Sequence, residues 1–286
     1  MRQNRRFLDL SEMSQCQVQH LLERARNFRD AWQEDKSLGV LDGKNIALVV
    51  SDGGWRNTAA FDLGIQWMGG RCVHVPIKLG QREDIGDLAA YLGNWFDAIV
   101  VRAPSLSDIA ELSDKSAIPV INARTRSNHP CETLGDLAFY HDRHGSIEGI
   151  TVGVVGPDAN ILGSWIEIAQ AVPLNVVQVY PKRWHAKSYR KRFTATEDVS
   201  ALHGADILVT DCWPDDGSRD QLLPFQITTS ILDRLSSNAE FIPCPPVHRD
   251  NEVAASALEH RTCEVIAAKD FLLHAQNAVL EWVFES

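Results

Sequence analysis

The chain has 286 residues, 44% hydrophobic and 23% charged, which is ordinary for a globular protein large enough for two domains. Its formal net charge is −10, with 38 acidic against 28 basic residues, so we do not expect a general nucleic-acid-binding protein. No apolar run approaches the ~20 residues that cross a bilayer, and the N-terminus lacks the apolar segment of a signal peptide. These features predict a cytoplasmic protein without a membrane partner.

The six cysteines contain no Cys-x-x-Cys pair and are scattered along the chain: Cys16, Cys72, Cys131, Cys212, Cys244 and Cys263. Scattered thiols in a chain of this length are typical of a reducing compartment rather than of a disulfide framework. The same spacing argues against a zinc site, and we expect neither a resident metal nor a cofactor.

In chain order, the first predicted element is a helix, and strands and helices alternate after it. Cap candidates Asp9 and Ser11 precede apolar residues at helical spacing, from Val18 to Ala25. The predicted strands are 44–50, 71–77, 97–102 and 118–123, and the predicted helices are 57–68, part of 80–96, 107–116 and 130–143. This alternation predicts a parallel sheet covered on both faces.

A second series begins at "GITVGVVG" (149–156), which places a domain boundary near Gly145. Its further strands are predicted over 175–180, 205–211 and 240–244, its helices over 160–171, 227–235 and 270–284, and the basic stretch 181–193 is predicted to be irregular. The sequence thus predicts an α/β protein with two doubly wound parallel-sheet domains and a crevice between them. Ligands of such sheets bind beyond the carboxyl ends of the strands, so candidate residues are sought there.

The turn "SDGGWRNT", after the strand 44–50, has the composition of an anion site at the start of a helix. Gly54 would let an oxyanion approach the backbone, and Arg56 can hold phosphate oxygens bidentately. Asn57 and Thr58 can cap the helix and donate to an anion. Asp52 opposes this interpretation, because a carboxylate offsets the ~0.3–1 kcal/mol that a helix dipole contributes. A plain glycine-rich turn with a helix cap explains the same residues equally well.

Two further strand ends of the first half carry candidate residues. Arg102 either pairs with a surface acid, which is the simpler interpretation, or reaches into the crevice. His129 precedes Pro130 at a helix start, where an imidazole can donate to a carbonyl oxygen and polarise it, although a lone histidine more often packs or caps. We exclude Cys131 as a nucleophile, since no second histidine lies in its segment.

The second half offers polar groups at its strand ends. "VVGPDANILGS" lacks the glycines of a dinucleotide fingerprint, so NAD binding is not expected, but Asn160 could hydrogen-bond a carboxylate. Asp211, Asp215 and Asp216 would suit an ammonium-bearing ligand or a divalent metal, with a solvated loop as the plainer interpretation for the last two. Cys244 ends a buried strand and could simply pack there.

Together these segments resemble the aspartate/ornithine carbamoyltransferase family, nearest to its ornithine-type members. The resemblance runs nearly end to end and includes "FLDLSEMSQCQVQHLLERA", "VINARTRSNHPCETLGDL", "TDCWPDDG" and "FIPCPPVHRDNEV". It implies that 1–145, with the C-terminal helix 265–286, binds carbamoyl phosphate and that 146–264 binds an amino acid. It also implies that an amine attacks the carbamoyl carbon, that phosphate leaves, and that the site lies between subunits of a homotrimer.

Residue by residue, the resemblance assigns carbamoyl-phosphate contacts to Arg56, Arg102 and His129. Asn160 and Asp211 correspond to residues that hold the α-groups of the amino acid. The family's phosphate motif, S-T-R-T-R, is altered here, because only its central arginine is unchanged; the corresponding residues are Gly54, Trp55, Arg56, Asn57 and Thr58.

Other family motifs are altered as well. The glutamine of H-P-x-Q is Glu132, and the Ser-Met of D-x-x-x-S-M-G is Asp215-Asp216. The histidine of H-C-L-P is Pro243, whereas Cys244 is retained, and the arginine expected two residues before His274 is Leu272. Each lost charged hydrogen bond is worth about 1.5–3 kcal/mol, so these changes weaken the predicted grip on carbamoyl phosphate.

Three hypotheses follow. The first is a carbamoyltransferase of specialised biosynthesis with an unusual amino-acid-like acceptor, in which Asp215 or Asp216 contacts a further cationic group. The second is an enzyme of the same fold with a different donor or reaction, in which Glu132 and Asp52 do acid–base chemistry. The third is a non-catalytic relative that binds a small molecule or a partner subunit.

Overall fold

The computed structural model describes residues 5–50, 53–187 and 190–285, so Asp52 of the predicted anion turn lies outside the described residues. The first five strands form one parallel sheet in the order β1-β5-β4-β2-β3. Their bounds are β1 Arg6–Phe7, β2 Asn45–Val50, β3 Arg71–Val75, β4 Ala98–Arg102 and β5 Val120–Arg124.

The next five strands form a second parallel sheet in the order β10-β9-β6-β7-β8. Their bounds are β6 Thr151–Val155, β7 Asn175–Val179, β8 Phe193–Thr196, β9 Ile207–Thr210 and β10 Glu240–Pro243. The predicted fold class, two parallel-sheet α/β units, is therefore confirmed. Central strands such as β2 and β4 read as continuous apolar runs because helices cover both of their faces.

Nine α-helices lie in the described part of the chain. Their bounds are α1 Gln15–Gln33, α2 Trp55–Trp67, α3 Ile85–Trp95, α4 Leu106–Lys115, α5 Pro130–His144, α6 Asn160–Ala171, α7 Arg219–Leu222, α8 Thr229–Leu232 and α9 Val265–Trp282. Within the described ranges, none of them has the length and apolar character needed to cross a membrane.

Three local predictions differ from the structure. The helix predicted over 227–235 is a single turn, α8. The C-terminal helix begins at Val265, as the resemblance implies, and not at 270, where the residue pattern placed its start. The basic stretch predicted to be irregular ends in strand β8, which pairs with β7 alone and so forms an edge of its sheet. The preceding lysines and arginines conceal this strand in the sequence, although Phe193 packs against the core.

Each sheet reverses its winding direction at one position, and the two reversals define where a ligand can bind. In the first sheet β2 lies between β3 and β4, so the chain winds to one side and then to the other. In the second sheet β6 lies between β7 and β9 in the same way. Parallel sheets bind ligands at these switch points, beyond the carboxyl ends of the strands.

Helix α9 returns from the second sheet to the first half of the molecule. It packs against α1, α2 and α5, while α5 also packs against α6 of the second half. One buried apolar cluster runs through these helices and includes the fully buried Trp165 of α6 and Ala275 of α9. This continuous core fixes how the two switch points face each other.

A buried hydrogen-bond network holds the loop between β5 and α5. The Asn122 Nδ2 donates to the Leu8 carbonyl at 2.9 Å and to the Asn128 Oδ1 at 2.8 Å. The Asn128 Nδ2 donates to the same Leu8 carbonyl and to the Glu167 Oε1 of α6, each at 3.0 Å. Because Asn122 and Asn128 are fully buried, this network links the loop to both halves without access to water.

We expect Asn128→Ala to lower the free energy of unfolding by at least about 1–3 kcal/mol, because the substitution leaves the Leu8 carbonyl and Glu167 with fewer partners. Asn175→Ala, at an exposed asparagine of β7, is the matched control and should change stability by less than about 0.5 kcal/mol. Urea unfolding of both variants measures the difference, and equal effects would contradict the structural role of the network.

We also expect stability to fall as pH rises, through the Glu167 carboxyl. Burial and the nearby Asp9 raise the pKa of Glu167 from 4.5 to about 8. The folded protein therefore keeps a proton that the unfolded chain loses, so this contribution is complete below pH 4.5 and is lost as pH rises toward 8. Each unit of pKa difference is worth about 1.4 kcal/mol.

Glu167→Gln cannot ionise and should flatten this part of the profile. The measurement is urea unfolding of both proteins at intervals between pH 4.5 and pH 8. The same slope in the two proteins would show that Glu167 is not responsible.

Candidate active site

A cleft of about 810 Å³ opens where the carboxyl ends of the two sheets face each other. Ten of the thirteen predicted site residues line it: Gly54, Trp55, Arg56, Asn57, Arg102, His129, Glu132, Asn160, Asp211 and Cys244. Thr58, Asp215 and Asp216 are not among the lining residues. Lys269 and Leu272 of α9 and Arg124 of β5 also line the cleft.

Gly54 is the residue just before α2, and it lies directly against Arg102. It adopts the left-handed conformation with a φ of 81°, and a Cβ placed there would lie 2.4 Å from the Arg102 Cζ. Because Gly54 has no side chain, there is room for the Arg102 guanidinium next to its backbone. Arg102 is only 8% exposed, so it reaches toward the cleft instead of the surface.

Arg56 and Trp55 stand together at the mouth of the cleft, on the first turn of α2. The Arg56 Cζ lies 4.8 Å from the centre of the Trp55 ring, within the range of a cation–π contact. Trp55 is 70% exposed, so the indole does not fill the space between the halves. The Arg56 guanidinium also helps to keep the pKa of the Glu132 carboxyl low.

The other predicted donors of this turn have partners within the protein. The Asn57 side chain is buried and its Nδ2 donates to the Ala123 carbonyl at 3.4 Å, which ties α2 to β5. The Thr58 hydroxyl donates to the Gly54 carbonyl at 3.3 Å. Their predicted contact with a bound anion stays a prediction, and for Thr58 it would require this hydroxyl to reorient.

His129 is positioned by its backbone and has a neutral ring. The backbone N–H of His129 donates to the Ser164 hydroxyl at 2.8 Å, and this bond fixes the start of α5 against α6. Burial, opposed by the Glu132 charge and reinforced by nearby cations, lowers the pKa of His129 to about 4. The Nδ1 atom has no hydrogen-bond partner among the described residues. The ring can therefore donate to a ligand as an uncharged imidazole.

A partly buried lysine of α9, which sequence reasoning missed, lines the cleft and pairs with two acids. The Lys269 Nζ lies 2.8 Å from the Glu132 Oε1 and 2.5 Å from the Asp136 Oδ1. The two carboxylates raise the pKa of Lys269, and its ammonium group lowers the pKa of Glu132 against the effect of burial. Glu132 is therefore ionised and held in place, rather than poised to exchange a proton.

Arg124 was also missed, although a signal for it exists. It is the last residue of β5, as Arg102 is the last residue of β4, and both end at the same edge of the sheet. The charge of Arg124 lowers the pKa of His129 and opposes the rise in the pKa of Asp211. Lys269 had no comparable signal, because it lies inside a helix and not at the end of a strand.

The second half contributes amide, carboxylate and thiol groups. The Asn160 Nδ2 donates to the Thr125 carbonyl at 3.1 Å. The Asp211 Oδ1 accepts from the Cys212 N–H at 2.8 Å, while burial raises the pKa of the Asp211 carboxyl. Burial and nearby carboxylates raise the pKa of Cys244 well above its usual value, so its thiol is protonated.

Asp215 and Asp216 lie on an exposed loop after β9. The Asp216 Oδ1 accepts from the Ser218 N–H at 3.0 Å, and this turn lowers the pKa of the Asp216 carboxyl. The plainer interpretation, a solvated loop, describes their surroundings in the structure. Contact with a ligand stays a prediction for both residues.

Comparison with known proteins extends to nearly the whole chain. Residues 5–142 match a family model described as "Aspartate/ornithine carbamoyltransferase, carbamoyl-P binding domain", and residues 148–283 match the corresponding "Asp/Orn binding domain". Ornithine carbamoyltransferase from Bradyrhizobium diazoefficiens is 30% identical, with 98% of this chain and 97% of the relative aligned. The enzyme of the same name from Nitrobacter winogradskyi is 31% identical, over 97% and 96% of the two chains.

Solved structures agree with these matches. Ornithine carbamoyltransferase from Pyrococcus furiosus superposes with a TM-score of 0.92 at 25% sequence identity, over 97% of this chain and 96% of that one. The structure from Burkholderia thailandensis gives the same TM-score and identity over 98% of both chains. The chain therefore belongs to the aspartate/ornithine carbamoyltransferase family.

Proposed function

We propose that this protein transfers a carbamoyl group from carbamoyl phosphate to the amine of an amino-acid-like acceptor, in specialised biosynthesis. One observation carries the proposal. Arginines and a neutral histidine of the first half line a single cleft together with an amide, a carboxylate and a thiol of the second half. The names of the curated relatives, which are ornithine carbamoyltransferases, agree with it.

Carbamoyl phosphate binds in this proposal among Arg56, Arg102 and Arg124. All three residues line the cleft, and each guanidinium group can donate two hydrogen bonds to phosphate oxygens. The start of α2 adds backbone N–H groups and a favourable dipole. Gly54 and Trp55 have no hydroxyl groups to donate to the phosphate. In this proposal the arginines donate to it instead.

His129 acts on the carbamoyl group. Its uncharged ring donates a hydrogen bond to the carbonyl oxygen, where negative charge grows as the amine nitrogen bonds to the carbon. The bond from that carbon to the phosphate oxygen then breaks, phosphate leaves, and the nitrogen loses its extra proton. Lys269 is a positioning residue in this scheme, because it holds Glu132 beside His129.

In this proposal Asn160 and Asp211 hold the α-groups of the acceptor, and its reacting amine lies near Cys244. The Asp211 carboxylate can accept hydrogen bonds from the α-amino group and so orient the bound amino acid. We also propose that Asp215 or Asp216 contacts a second cationic group of a longer acceptor. Their loop follows β9 directly after Asp211, which is the feature that supports this assignment.

The organisation of the chain follows the same proposal. Residues 1–145 and 265–286 form the carbamoyl-phosphate domain and 146–264 the acceptor domain, a division that the packing of α9 on α1, α2 and α5 supports. We propose a cytoplasmic homotrimer, in which exposed apolar side chains such as Tyr91 and Trp95 become covered. Light scattering coupled to gel filtration tests the trimer.

A second candidate function is binding without turnover. Position 54 is a glycine, and the Thr58 hydroxyl already donates a hydrogen bond to the backbone. Neither residue therefore offers a side-chain donor at the phosphate end of the cleft. The decisive experiment incubates the protein with carbamoyl phosphate and a panel of amino acids and measures both thermal stabilisation and release of phosphate. Stabilisation by carbamoyl phosphate without carbamoylated product in any combination favours this second candidate.

We expect Arg124→Ala to weaken carbamoyl-phosphate binding roughly ten- to hundredfold, because a lost charged hydrogen bond is worth about 1.5–3 kcal/mol. Arg56→Ala should have a similar effect. The measurement is the rise in melting temperature as carbamoyl phosphate is added.

Arg126 offers a matched control for this experiment. It lies two residues after Arg124, in the loop that follows β5, but it is exposed and does not line the cleft. Arg126→Ala should leave the melting response unchanged. If Arg124→Ala and Arg126→Ala respond alike, or if Arg56→Ala binds carbamoyl phosphate as the parent protein does, these arginines do not form the phosphate end of the site.

The pH dependence of turnover tests the neutral state of His129. Since its pKa is lowered to about 4, we expect no loss of kcat between pH 8 and pH 5 from protonation of this ring. His129→Gln should reduce kcat by about 100-fold or more, as loss of an oxyanion donor does elsewhere. An acidic limb near pH 6.5 in the parent enzyme that is absent from the variant would contradict this assignment.

A further inference from the structure

Outside the cleft, α2 and β3 bring three metal-ligating side chains together. Asp62, Cys72 and His74 each offer one ligand atom, and these atoms all lie within 4.8 Å of one another. The His74 Nε2 is 3.1 Å from the Asp62 Oδ2, and the Cys72 thiol hydrogen-bonds the same carboxylate. From this geometry we propose that Asp62, Cys72 and His74 bind a divalent transition-metal ion of the zinc type.

The local structure explains why these side chains converge. Cys72 and His74 are two residues apart in β3, so strand alternation directs both side chains to one face of the sheet. Helix α2 packs on β3 and carries Asp62, seven residues and thus about two turns after Trp55. The convergence depends on strand spacing, which a search for Cys-x-x-Cys pairs does not detect.

The carboxylate is already oriented for coordination. The Gln66 Nε2 donates to the Asp62 Oδ1 at 2.8 Å, which leaves the Oδ2 directed at His74. Outer hydrogen bonds of this kind hold ligand side chains in position and strengthen metal binding. β3 is an edge strand and His74 is exposed, so a hydrated ion can reach the group from solvent.

The ligand set selects the class of ion. Thiolate, imidazole and carboxylate together suit Zn²⁺ or Co²⁺, whereas Mg²⁺ and Ca²⁺ prefer oxygen ligands alone. Three protein ligands leave the fourth tetrahedral position to water. On binding, the Cys72 sulfur loses its proton to solvent and forms the metal bond, and the two negative ligands then balance the charge of the ion.

The proposed site joins the edge of the first sheet to the helix that carries the cleft residues. Arg56 and Trp55 lie at the start of α2, and Asp62 lies in the middle of the same helix. A bound ion would therefore hold α2 against β3, and through α2 it would stabilise the position of Trp55 and Arg56 at the mouth of the cleft. The ion would have no contact with substrate, since none of its three ligands lines the cleft.

Cobalt titration of the untagged full chain tests the proposal. We expect one equivalent of Co²⁺ to produce the ultraviolet absorption of a thiolate–cobalt bond, Zn²⁺ to abolish it by displacement, and Zn²⁺ to raise the melting temperature. Cys72→Ser should lose the absorption, and His74→Ala should weaken Zn²⁺ binding at least about 10-fold, the smallest loss that even outer-shell substitutions cause.

Matched controls are Cys16→Ser and His203→Ala, which alter an exposed thiol and an exposed imidazole away from the cluster. Both should bind cobalt as the parent does. No thiolate absorption in the parent protein would overturn the proposal, and so would absorption that survives in Cys72→Ser, because another thiol such as Cys244 would then be the ligand. If Cys72→Ser fails to fold, His74→Ala decides alone, since His74 is exposed and its substitution leaves the core intact.

Discussion

Hydrogen bonds from Asn128 link the two halves of this molecule beside the apolar core that they share, and they position the loop that leads to the cleft. One amide group contacts the Leu8 carbonyl of the first half and Glu167 of the second. The same loop ends in His129, whose N–H bonds to Ser164 of α6. Because these groups are buried, each bond lost would leave a polar atom without water, and the loop therefore has one stable position.

The packing of Arg102 against Gly54 explains one departure from the family motif in physical terms. Any residue with a Cβ at position 54 would collide with the guanidinium as it is placed here. Arg102 can thus adopt its inward position only because residue 54 has no side chain, and so no hydroxyl. Similarly, Glu132 is compatible with burial because Lys269 neutralises it. At positions 54 and 132, the changed residue is thus compatible with the charged side chain beside it.

The sequence was sufficient for the fold because long apolar strands and periodic helices are local features. Strand β2 and helix α6 were predicted to within a residue, whereas α8 and β8 were not, since short elements depend on tertiary contacts. For the cleft, strand ends indicated Arg102 and Asp211, and the same rule applied to Arg124 would have found it. Lys269 could not be found this way, because it belongs to a helix that packs back onto a distant part of the chain.

Helix α9 has a consequence for how the protein is made. It follows every other described element in the chain, yet it packs against α1 and α2 near the beginning. While a ribosome is still synthesising the second half, the apolar faces of these early helices have no cover. The nascent chain is then a suitable client for a chaperone, and the cleft acquires its lysine only when α9 docks.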